Sequence, residues 1–423
     1  MRRAFVATFG CKLNQCESQA ISEKLASKGF VLCAAPGRAD VVIINTCSVT
    51  GQSDRQARQA IRSLHRSAPG ACLVVTGCYA ERAPHEISSL PGVALVAGNA
   101  EKAHLHETIG SLEAGAATLP PTRSSSGRES PARARALVKI QDGCDSACTY
   151  CVVPQVRGAS RSVSRPAILG EISSLRRRGF REIVLTGARI GCYGREEGRK
   201  GGLVNLLQEI LRGVPDVRLR LSSLEPGEVA DSLLELVRGE RRMCRHFHVP
   251  LQSGSDAVLR AMGRPYSAGE YAERIGKIHS RLPDACVGTD VIAGFPGETD
   301  VDFDKTVRLI ERLPVSYLHV FPFSERPGTP AGAMGPVVER SCRKQRAAEL
   351  RALGERKRTR FVESQIGSVQ EAIVEGPAGP GLFKATTGNY LRLLVRGASL
   401  LPRQMIEVQI KDTADGRVCA ELR

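Results

Sequence analysis

The sequence predicts an α/β protein in three parts: an N-terminal parallel α/β domain, a partial (βα)6 barrel and a small C-terminal antiparallel β-barrel. The first two are predicted because short apolar runs alternate with helical stretches twice along the chain. The last is predicted by strand-like runs separated by Gly and Pro. At 423 residues the chain exceeds what one hydrophobic core usually serves. We expect domains at 1–112, 136–362 and 363–423, with a linker at 113–135.

The N-terminal domain is predicted from three apolar strands and the helices between them. The strands are expected at 3–9, 41–44 and 72–76, and the helices at 19–28 and 53–66. Short, continuously apolar strands in β-α-β-α-β order are typical of a parallel sheet covered by helices.

A cysteine follows each of these strands: Cys11, Cys47 and Cys78, here called the N-terminal triplet. The carboxyl ends of parallel strands meet at one edge, so we expect the three thiols to converge and to hold an iron–sulfur cluster. Coincidence or a redox role is the alternative. Cys16 lies at a helix start and Cys72 at a strand start, and neither is expected to be a ligand.

Residues 113–135 are rich in Gly, Pro, Ser and Arg and have no apolar periodicity. They predict a linker or a mobile strap between the first two domains.

The second repeat predicts six strands in β/α order, which suggests a partly open barrel with its site at the carboxyl ends of the strands. The strands are expected at 136–140, 183–186, 217–221, 247–251, 287–293 and 317–323, and helices at 168–178, 204–211 and 302–313.

Three more cysteines follow the first of these strands: Cys144, Cys148 and Cys151, here called the central triplet. Gly143 marks a turn, so the thiols should lie on a loop just past the strand. A four-iron cluster needs four ligands, so three thiolates leave one iron open. Zinc or a structural role is the alternative, although no fourth Cys or His lies nearby in sequence. Three cysteines cannot all pair with one another, which argues against a disulfide framework within this triplet.

The loops after the later strands are rich in Gly and polar residues. Gly187, Gly254, Gly294 and Gly297 would let the backbone approach a ligand closely. Ordinary turn chemistry is the alternative for any one of them.

The balance of 60 Lys and Arg against 44 Asp and Glu gives a net charge of +16, which favours a polyanionic partner over a small neutral substrate. A solvated basic surface is the alternative. Fourteen cysteines, without a signal peptide or a long apolar span, predict a cytoplasmic protein that makes no membrane contact.

A basic helix is expected at 341–361, where Arg356, Lys357 and Arg358 are candidate phosphate contacts. A solvated helix face is the alternative. In the small barrel beyond it, Lys384 and Arg392 are the candidate nucleic-acid contacts.

The spacing of the central triplet, with an aromatic residue before its last cysteine, resembles the signature of the radical S-adenosylmethionine (SAM) enzymes. The resemblance implies a [4Fe-4S] cluster whose open iron binds SAM and releases a 5′-deoxyadenosyl radical. It also implies an electron donor such as flavodoxin or ferredoxin. The loops that would hold SAM supply these candidate contacts: Tyr150, Gly187, Ser223, Gln252, Ile292 and Gly294.

The whole arrangement resembles the methylthiotransferases, whose C-terminal barrel is a TRAM domain. The resemblance implies a second [4Fe-4S] cluster on the N-terminal triplet, two SAM molecules, and no catalytic residue beyond the cluster ligands. The stretches 8–15, 44–50, 185–187 and 318–324 look most like the branch acting on N6-threonylcarbamoyladenosine beside the tRNA anticodon. Other branches act on N6-isopentenyladenosine in tRNA or on a ribosomal-protein aspartate, and a non-catalytic iron–sulfur RNA-binding protein is an alternative of another class.

Overall fold

The computed structural model describes residues 2–113, 133–198, 201–414 and 417–423. These residues form two compact units. The N-terminal unit contains residues 2–113 together with 151–159, and the C-terminal unit contains the rest. The domain boundaries expected from the sequence stay a prediction, and most of the expected linker, 114–132, lies outside the described residues.

The N-terminal unit contains a five-stranded parallel sheet in the order β2-β1-β3-β4-β5. Its strands are β1 (Arg3–Thr8), β2 (Val31–Leu32), β3 (Val41–Thr46), β4 (Cys72–Gly77) and β5 (Val93–Ala97). Its helices are α1 (Lys12–Ser27), α2 (Gly51–Ser67), α3 (Cys78–Arg82), α4 (Pro84–Ser88), α5 (Leu105–Glu113) and α6 (Val153–Arg157). The predicted parallel sheet is confirmed; the sequence missed β2 and β5 and started α1 too late.

Strand β3 shows why a run of apolar residues becomes a central strand. Val42 and Ile44 pack into the core on one face of the sheet, and Val41 and Ile43 pack into the core on the other face. All four side chains are fully buried. A strand covered on both faces needs apolar residues at every position, as a parallel sheet between helices requires.

The C-terminal unit contains the partial barrel. Its strands and the small hairpin beside it are β6 (Arg135–Lys139), β7 (Gln141–Asp142), β8 (Arg161–Ser162), β9 (Glu182–Thr186), β10 (Arg218–Leu221), β11 (His246–His248), β12 (Cys286–Ala293) and β13 (Tyr317–Pro322). The covering helices are α7 (Arg165–Arg177), α8 (Gly202–Gly213), α9 (Asp231–Gly239), α10 (Asp256–Ala261), α11 (Ala268–Arg281), α12 (Asp300–Arg312) and α13 (Arg340–Glu363).

The six parallel strands of this barrel form two three-stranded sheets, β10-β9-β6 and β11-β12-β13. Backbone hydrogen bonds join the two sheets, because Leu219 donates to the oxygen of Arg242 at 2.7 Å and accepts from Cys244 at 2.8 Å. The predicted six-stranded partial barrel is therefore confirmed.

The C-terminal barrel is closed in the order β14-β15-β16-β18-β17. Its strands are β14 (Val369–Gly379), β15 (Leu382–Thr387), β16 (Arg392–Arg396), β17 (Met405–Ala414) and β18 (Arg417–Leu422). Every neighbouring pair is antiparallel except β16 and β18, which are parallel. The predicted small barrel is confirmed, with this one exception to its antiparallel pairing.

A buried ionic cluster joins this small barrel to the partial barrel. The Glu182 carboxylate accepts from Arg218 Nε at 2.9 Å and from Arg220 Nε at 2.7 Å. Arg220 also donates to the backbone oxygens of Thr387 and Gly388, at 2.8 and 3.0 Å. The amino ends of β9 and β10 are thereby tied to the turn after β15.

Among the described residues, no helix combines the length and the apolar character needed to cross a membrane.

Candidate metal centres and cofactor site

The structure brings the three cysteines of the N-terminal triplet to one edge of the sheet. Cys11 is the N-cap of α1, three residues after β1 ends. Cys47 directly follows β3, and Cys78 directly follows β4 as the first residue of α3. The three strands are neighbours in register, so their carboxyl ends lie side by side.

Two glycines allow the backbone to approach this closely. Gly10 has φ of +105°, and a Cβ there would lie 2.5 Å from Cβ and 2.8 Å from Sγ of Cys47. Gly77 has φ of +102°, and a Cβ there would overlap the backbone of Thr46. Any larger residue would be strained at both positions and would push the thiols apart.

The electrostatics also reflect this proximity. The pKa of Cys47 is raised to about 11, mainly by burial and in part by negative charge on Cys11 and Cys78. Cysteines bind a metal as thiolates, and a bound cation would offset the repulsion between their negative charges. Three converging thiols fit an iron–sulfur cluster, whose usual ligands are cysteine thiolates.

A buried polar network supports the loops that carry these thiols. Asn14 is fully buried and donates to the oxygens of Phe9 and Thr46, both at 2.9 Å. Its Oδ1 accepts from Arg157 Nη2 at 2.7 Å. Arg157 and Lys102 both pair with Glu17, at 2.8 and 2.5 Å. The network therefore holds the ends of β1 and β3 where Cys11 and Cys47 begin.

In the C-terminal unit, the loop after β7 carries Cys144 and Cys148. Thr149 anchors the loop, because its backbone N donates to Met262 at 3.0 Å and its hydroxyl donates to Ala261 at 2.9 Å. Gly263 lets the loop pass, since a Cβ there would lie 2.6 Å from the oxygen of Ala147. Cys151, the third member of the central triplet, begins the segment 151–159 of the N-terminal unit.

The side chain of Arg264 contacts this loop at Cys148. Its Nη1 donates to Cys148 Sγ at 3.0 Å, and its guanidinium also pairs with Glu225 and bonds Tyr266. The arginine is only 8% exposed, so its charge acts at close range and with little screening. An N–H donor and a positive charge beside the sulfur fit a thiolate that binds a metal cluster.

Two of the predicted SAM contacts follow strands of the barrel, one with an unusual backbone conformation and one in close packing. Gln252 adopts φ of +66°, and a bridge joins it to Val291 of β12. Gly187 follows β9, and a Cβ there would lie 2.7 Å from the oxygen of Gln141. Both positions face the carboxyl edge of the barrel, and close packing on Gln141 already explains the glycine.

The remaining predicted SAM contacts have three different surroundings. Tyr150 and Ile292 belong to one apolar cluster, which includes Phe295 and Phe323, and Ser223 is exposed after β10. Gly294 donates its N–H to Glu298 at 2.7 Å. The glycine-rich turn is thus held by its own glutamate, which in turn pairs with Arg346 of α13 at 2.7 Å.

The predicted RNA contacts on α13 do not share one face. Arg356 and Arg358 are exposed. Lys357 is only 7% exposed, and its ammonium donates to the backbone oxygens of Glu311 and Leu313, both at 2.7 Å. Lys357 is therefore a structural residue, and its prediction as an RNA contact was wrong.

In the small barrel, Lys384 and Arg392 are both exposed, on the neighbouring strands β15 and β16. Arg396, four residues after Arg392, is also exposed and lies on the same face of β16, since side chains alternate between the two faces of a strand. These three residues form a basic surface on the outside of the barrel.

Several residues of these sites carry no direct signal in the sequence. Arg157 contacts Asn14 across 143 positions, and Arg264 contacts Cys148 across 116 positions. Strand alternation could have shown that His248, Asp290 and His319 share the inner face of the partial barrel, but their contacts depend on the register of three strands.

Two family models match the chain. The family described as "Uncharacterized protein family UPF0004" matches residues 3–98, which contain the N-terminal triplet. The radical SAM superfamily matches residues 138–310, which contain the central triplet. Among solved structures, the radical S-adenosylmethionine methyltransferase TsrM of Kitasatospora setae has a TM-score of 0.57 at 15% identity, covering 78% of this chain and 75% of that chain. This similarity shows a shared fold.

Curated relatives match over nearly the whole chain. The threonylcarbamoyladenosine tRNA methylthiotransferase MtaB of Aquifex aeolicus is 37% identical over 383 residues, which are 88% of this chain and 93% of that protein. The protein of the same name from Bacillus subtilis is 34% identical over 417 residues, 95% of this chain and 92% of that protein. The chain therefore belongs to the MtaB family of radical-SAM methylthiotransferases, enzymes that transfer a sulfur-containing group.

Proposed function

We propose that this enzyme methylthiolates C2 of N6-threonylcarbamoyladenosine beside the tRNA anticodon, using two SAM molecules and two [4Fe-4S] clusters. Its superfamily implies SAM and one such cluster. The second cluster rests on one observation, the convergence of Cys11, Cys47 and Cys78 at the edge of the N-terminal sheet. The relatives' names support the choice of nucleoside.

Each triplet has a separate role in this proposal. Cys144, Cys148 and Cys151 would hold a cluster that would supply the electron for reductive cleavage of SAM, and Cys11, Cys47 and Cys78 would hold a second cluster that would carry the sulfur to be methylated. The electron would come from a donor such as flavodoxin or ferredoxin. The C2 hydrogen ends on 5′-deoxyadenosine, and the methyl group comes from the second SAM.

The chain's own residues position these groups. Arg264 fixes the orientation of Cys148, and Thr149 anchors the loop behind it. Asn14 and Arg157 hold the strand ends that precede Cys11 and Cys47. These hydrogen bonds keep the thiols in place before the clusters bind.

Charge supports RNA as the substrate. The net charge of +16 and the exposed Lys384, Arg392, Arg356 and Arg358 suit a phosphate backbone. A base attacked at C2 must be splayed out of the anticodon loop, so we expect the protein to bind the anticodon stem-loop and to work in the cytoplasm.

Nucleoside mass spectrometry tests the proposal. The anaerobically reconstituted protein is mixed with SAM, a reductant and tRNA. This tRNA comes from a strain that makes N6-threonylcarbamoyladenosine but does not add the 2-methylthio group. We expect the 2-methylthio derivative of N6-threonylcarbamoyladenosine to appear and the parent nucleoside to fall by an equal amount.

Parallel reactions separate the other candidates. Methylthiolation of N6-isopentenyladenosine or of a ribosomal-protein aspartate would replace the proposed substrate. Intact clusters without release of 5′-deoxyadenosine would instead favour a non-catalytic RNA-binding protein.

A further inference from the structure

Three side chains on neighbouring strands of the partial barrel meet at one point. His248 lies on β11, Asp290 on β12 and His319 on β13. His248 Nε2 is 2.8 Å from Asp290 Oδ1, and His319 Nδ1 is 3.2 Å from the same oxygen. All three ligand atoms lie within 4.8 Å of one another. Two ligands bound to one metal ion at about 2.1 Å and at right angles would be about 3 Å apart, so the spacing fits a shared ion.

The side chains of His248, Asp290 and His319 face the concave interior of the partial barrel. Leu318 and Val320, which flank His319 in sequence, pack against the core beneath the helices. Phe247 and Val249, which flank His248, are buried in the same core. Since successive side chains of a strand point to opposite faces, the two histidines point away from the helices.

The surroundings of His248 determine which of its ring nitrogens would bind a metal ion. Its Nδ1 lies 3.1 Å from the hydroxyl of Tyr317, which also lies 2.9 Å from His246 Nε2. A Cβ at Gly288 would overlap the Tyr317 ring, so glycine there makes room for this support. Metal-binding histidines commonly use the second nitrogen in this way, which leaves Nε2 for the ion.

We propose that His248, Asp290 and His319 bind one divalent transition-metal ion inside the partial barrel. Two imidazoles and one carboxylate on the same side of an ion are a set that Fe²⁺ uses with open coordination positions, and Zn²⁺, Mn²⁺ and Co²⁺ accept the same donors. This ion is distinct from the iron of the two triplets, since no cysteine belongs to the set.

The position of this ion also suggests its role. Asp290 precedes the predicted SAM contact Ile292 by two residues on the same face of β12, a separation of about 7 Å. The His319 side chain is 55% exposed whereas that of His248 is 7% exposed, so the open side of the ion faces the interior space. The ion binds the carboxylate of the substrate's threonylcarbamoyl group, a conclusion that rests on the proposed function.

Metal binding is tested without RNA. The reconstituted full-length protein is dialysed against Co²⁺ or Zn²⁺, and bound metal is measured by elemental analysis alongside Asp290→Asn, His319→Ala and the exposed control His279→Ala. We expect one Co²⁺ per chain in the wild type and the control, and binding at least about tenfold weaker in the other two variants. Cobalt X-ray absorption should show nitrogen and oxygen ligands.

Equal binding in all four proteins, sulfur ligation of the cobalt, or no binding to the wild type would overturn the site. The iron content and the urea midpoint of each variant identify any that fail to fold, and Asp290→Glu then replaces the failed variant, with weakened binding expected again. The site would be refuted while the proposed function stood if the wild type methylthiolated tRNA but bound no such ion.

The role in recognition is tested with two RNAs, an anticodon stem-loop that carries N6-threonylcarbamoyladenosine and the same RNA with unmodified adenosine. We expect bound metal to increase affinity for the modified RNA only, and Asp290→Asn to abolish that preference while leaving affinity for the unmodified RNA unchanged. A metal that binds but changes neither affinity would overturn the substrate role.

Discussion

Replacing Glu182 by Gln removes a buried carboxylate that pairs with two buried guanidinium groups. Glu182 is fully buried, and Arg218 and Arg220 are 4% and 1% exposed. Glutamine keeps the shape of the side chain but carries no charge. The substitution therefore removes this counter-ion from both arginines at the junction between the two barrels of the C-terminal unit, and Arg218 keeps a longer pairing, at 3.5 Å, with the exposed Glu371.

The size of the effect follows from the carboxyl's pKa. Burial alone would raise this pKa, but Arg220 and Arg218 outweigh burial and lower it from 4.5 to about 2. A Glu182 pKa that falls from 4.5 to about 2 on folding corresponds to about 3 kcal/mol of stability. Breaking a buried ion pair by removing one partner costs about 3–5 kcal/mol in other proteins, which agrees.

Urea unfolding under anaerobic conditions at pH 7.5 measures the loss of unfolding free energy. Because the folded pKa is depressed, the contribution is fully present above pH 4.5 and is lost as the pH falls toward 2. The matched control is Glu209→Gln, since Glu209 is 36% exposed and pairs with Arg165 at 3.2 Å. We expect the control to change stability by less than about 0.5 kcal/mol. A loss of unfolding free energy in Glu182→Gln as small as that in the control would refute the stabilising role of this ion pair.

Three further predictions concern the clusters and the RNA. Cys144→Ala should abolish release of 5′-deoxyadenosine, whereas Cys47→Ala should keep uncoupled release and lose methylthiolation, both measured by chromatography of the products. Arg264→Gln should lower the reduction potential of the central cluster, because it removes a positive charge and an N–H donor beside Cys148 Sγ, and an EPR-monitored redox titration measures this. Lys384→Gln with Arg392→Gln should weaken tRNA binding and reduce the slope of log affinity against log salt by about 2.

Each of these predictions has a matched control. Cys72→Ala should preserve both product yields, and equal loss of both activities in Cys47→Ala would count against separate roles for the triplets. Arg260→Gln changes an exposed arginine near Arg264 and should leave the potential unchanged. Arg308→Gln removes an exposed charge on α12 and should leave the salt slope unchanged. A slope that is equally unchanged in the variant with both Lys384→Gln and Arg392→Gln would place the RNA elsewhere.

Local patterns were enough to predict much of the fold. The apolar runs at β3 and β4 predicted central strands, and the cysteine after each run was predicted to reach the same sheet edge because parallel strands share their direction. Helix α1 begins seven residues earlier than expected, at Lys12, because the polar Asn14 is buried by hydrogen bonds to two loops and carries no apolar signal.

Contacts between distant segments could not be predicted in the same way. Arg157 and Arg264 reach their partners only after whole strands and helices have been placed. Lys357 lies on a helix with basic residues all around it, so its sequence does not reveal which face packs against α12. The order of residues on such a helix predicts charge but not exposure.

Counting the clusters tests the central claim most directly. Iron and acid-labile sulfide are measured in anaerobically purified wild-type protein and in two variants, one with alanine throughout the N-terminal triplet and one with alanine throughout the central triplet. We expect about eight iron atoms per chain in the wild type and about four in each variant. Only four iron atoms in the wild type, with none lost from the N-terminal variant, would contradict it.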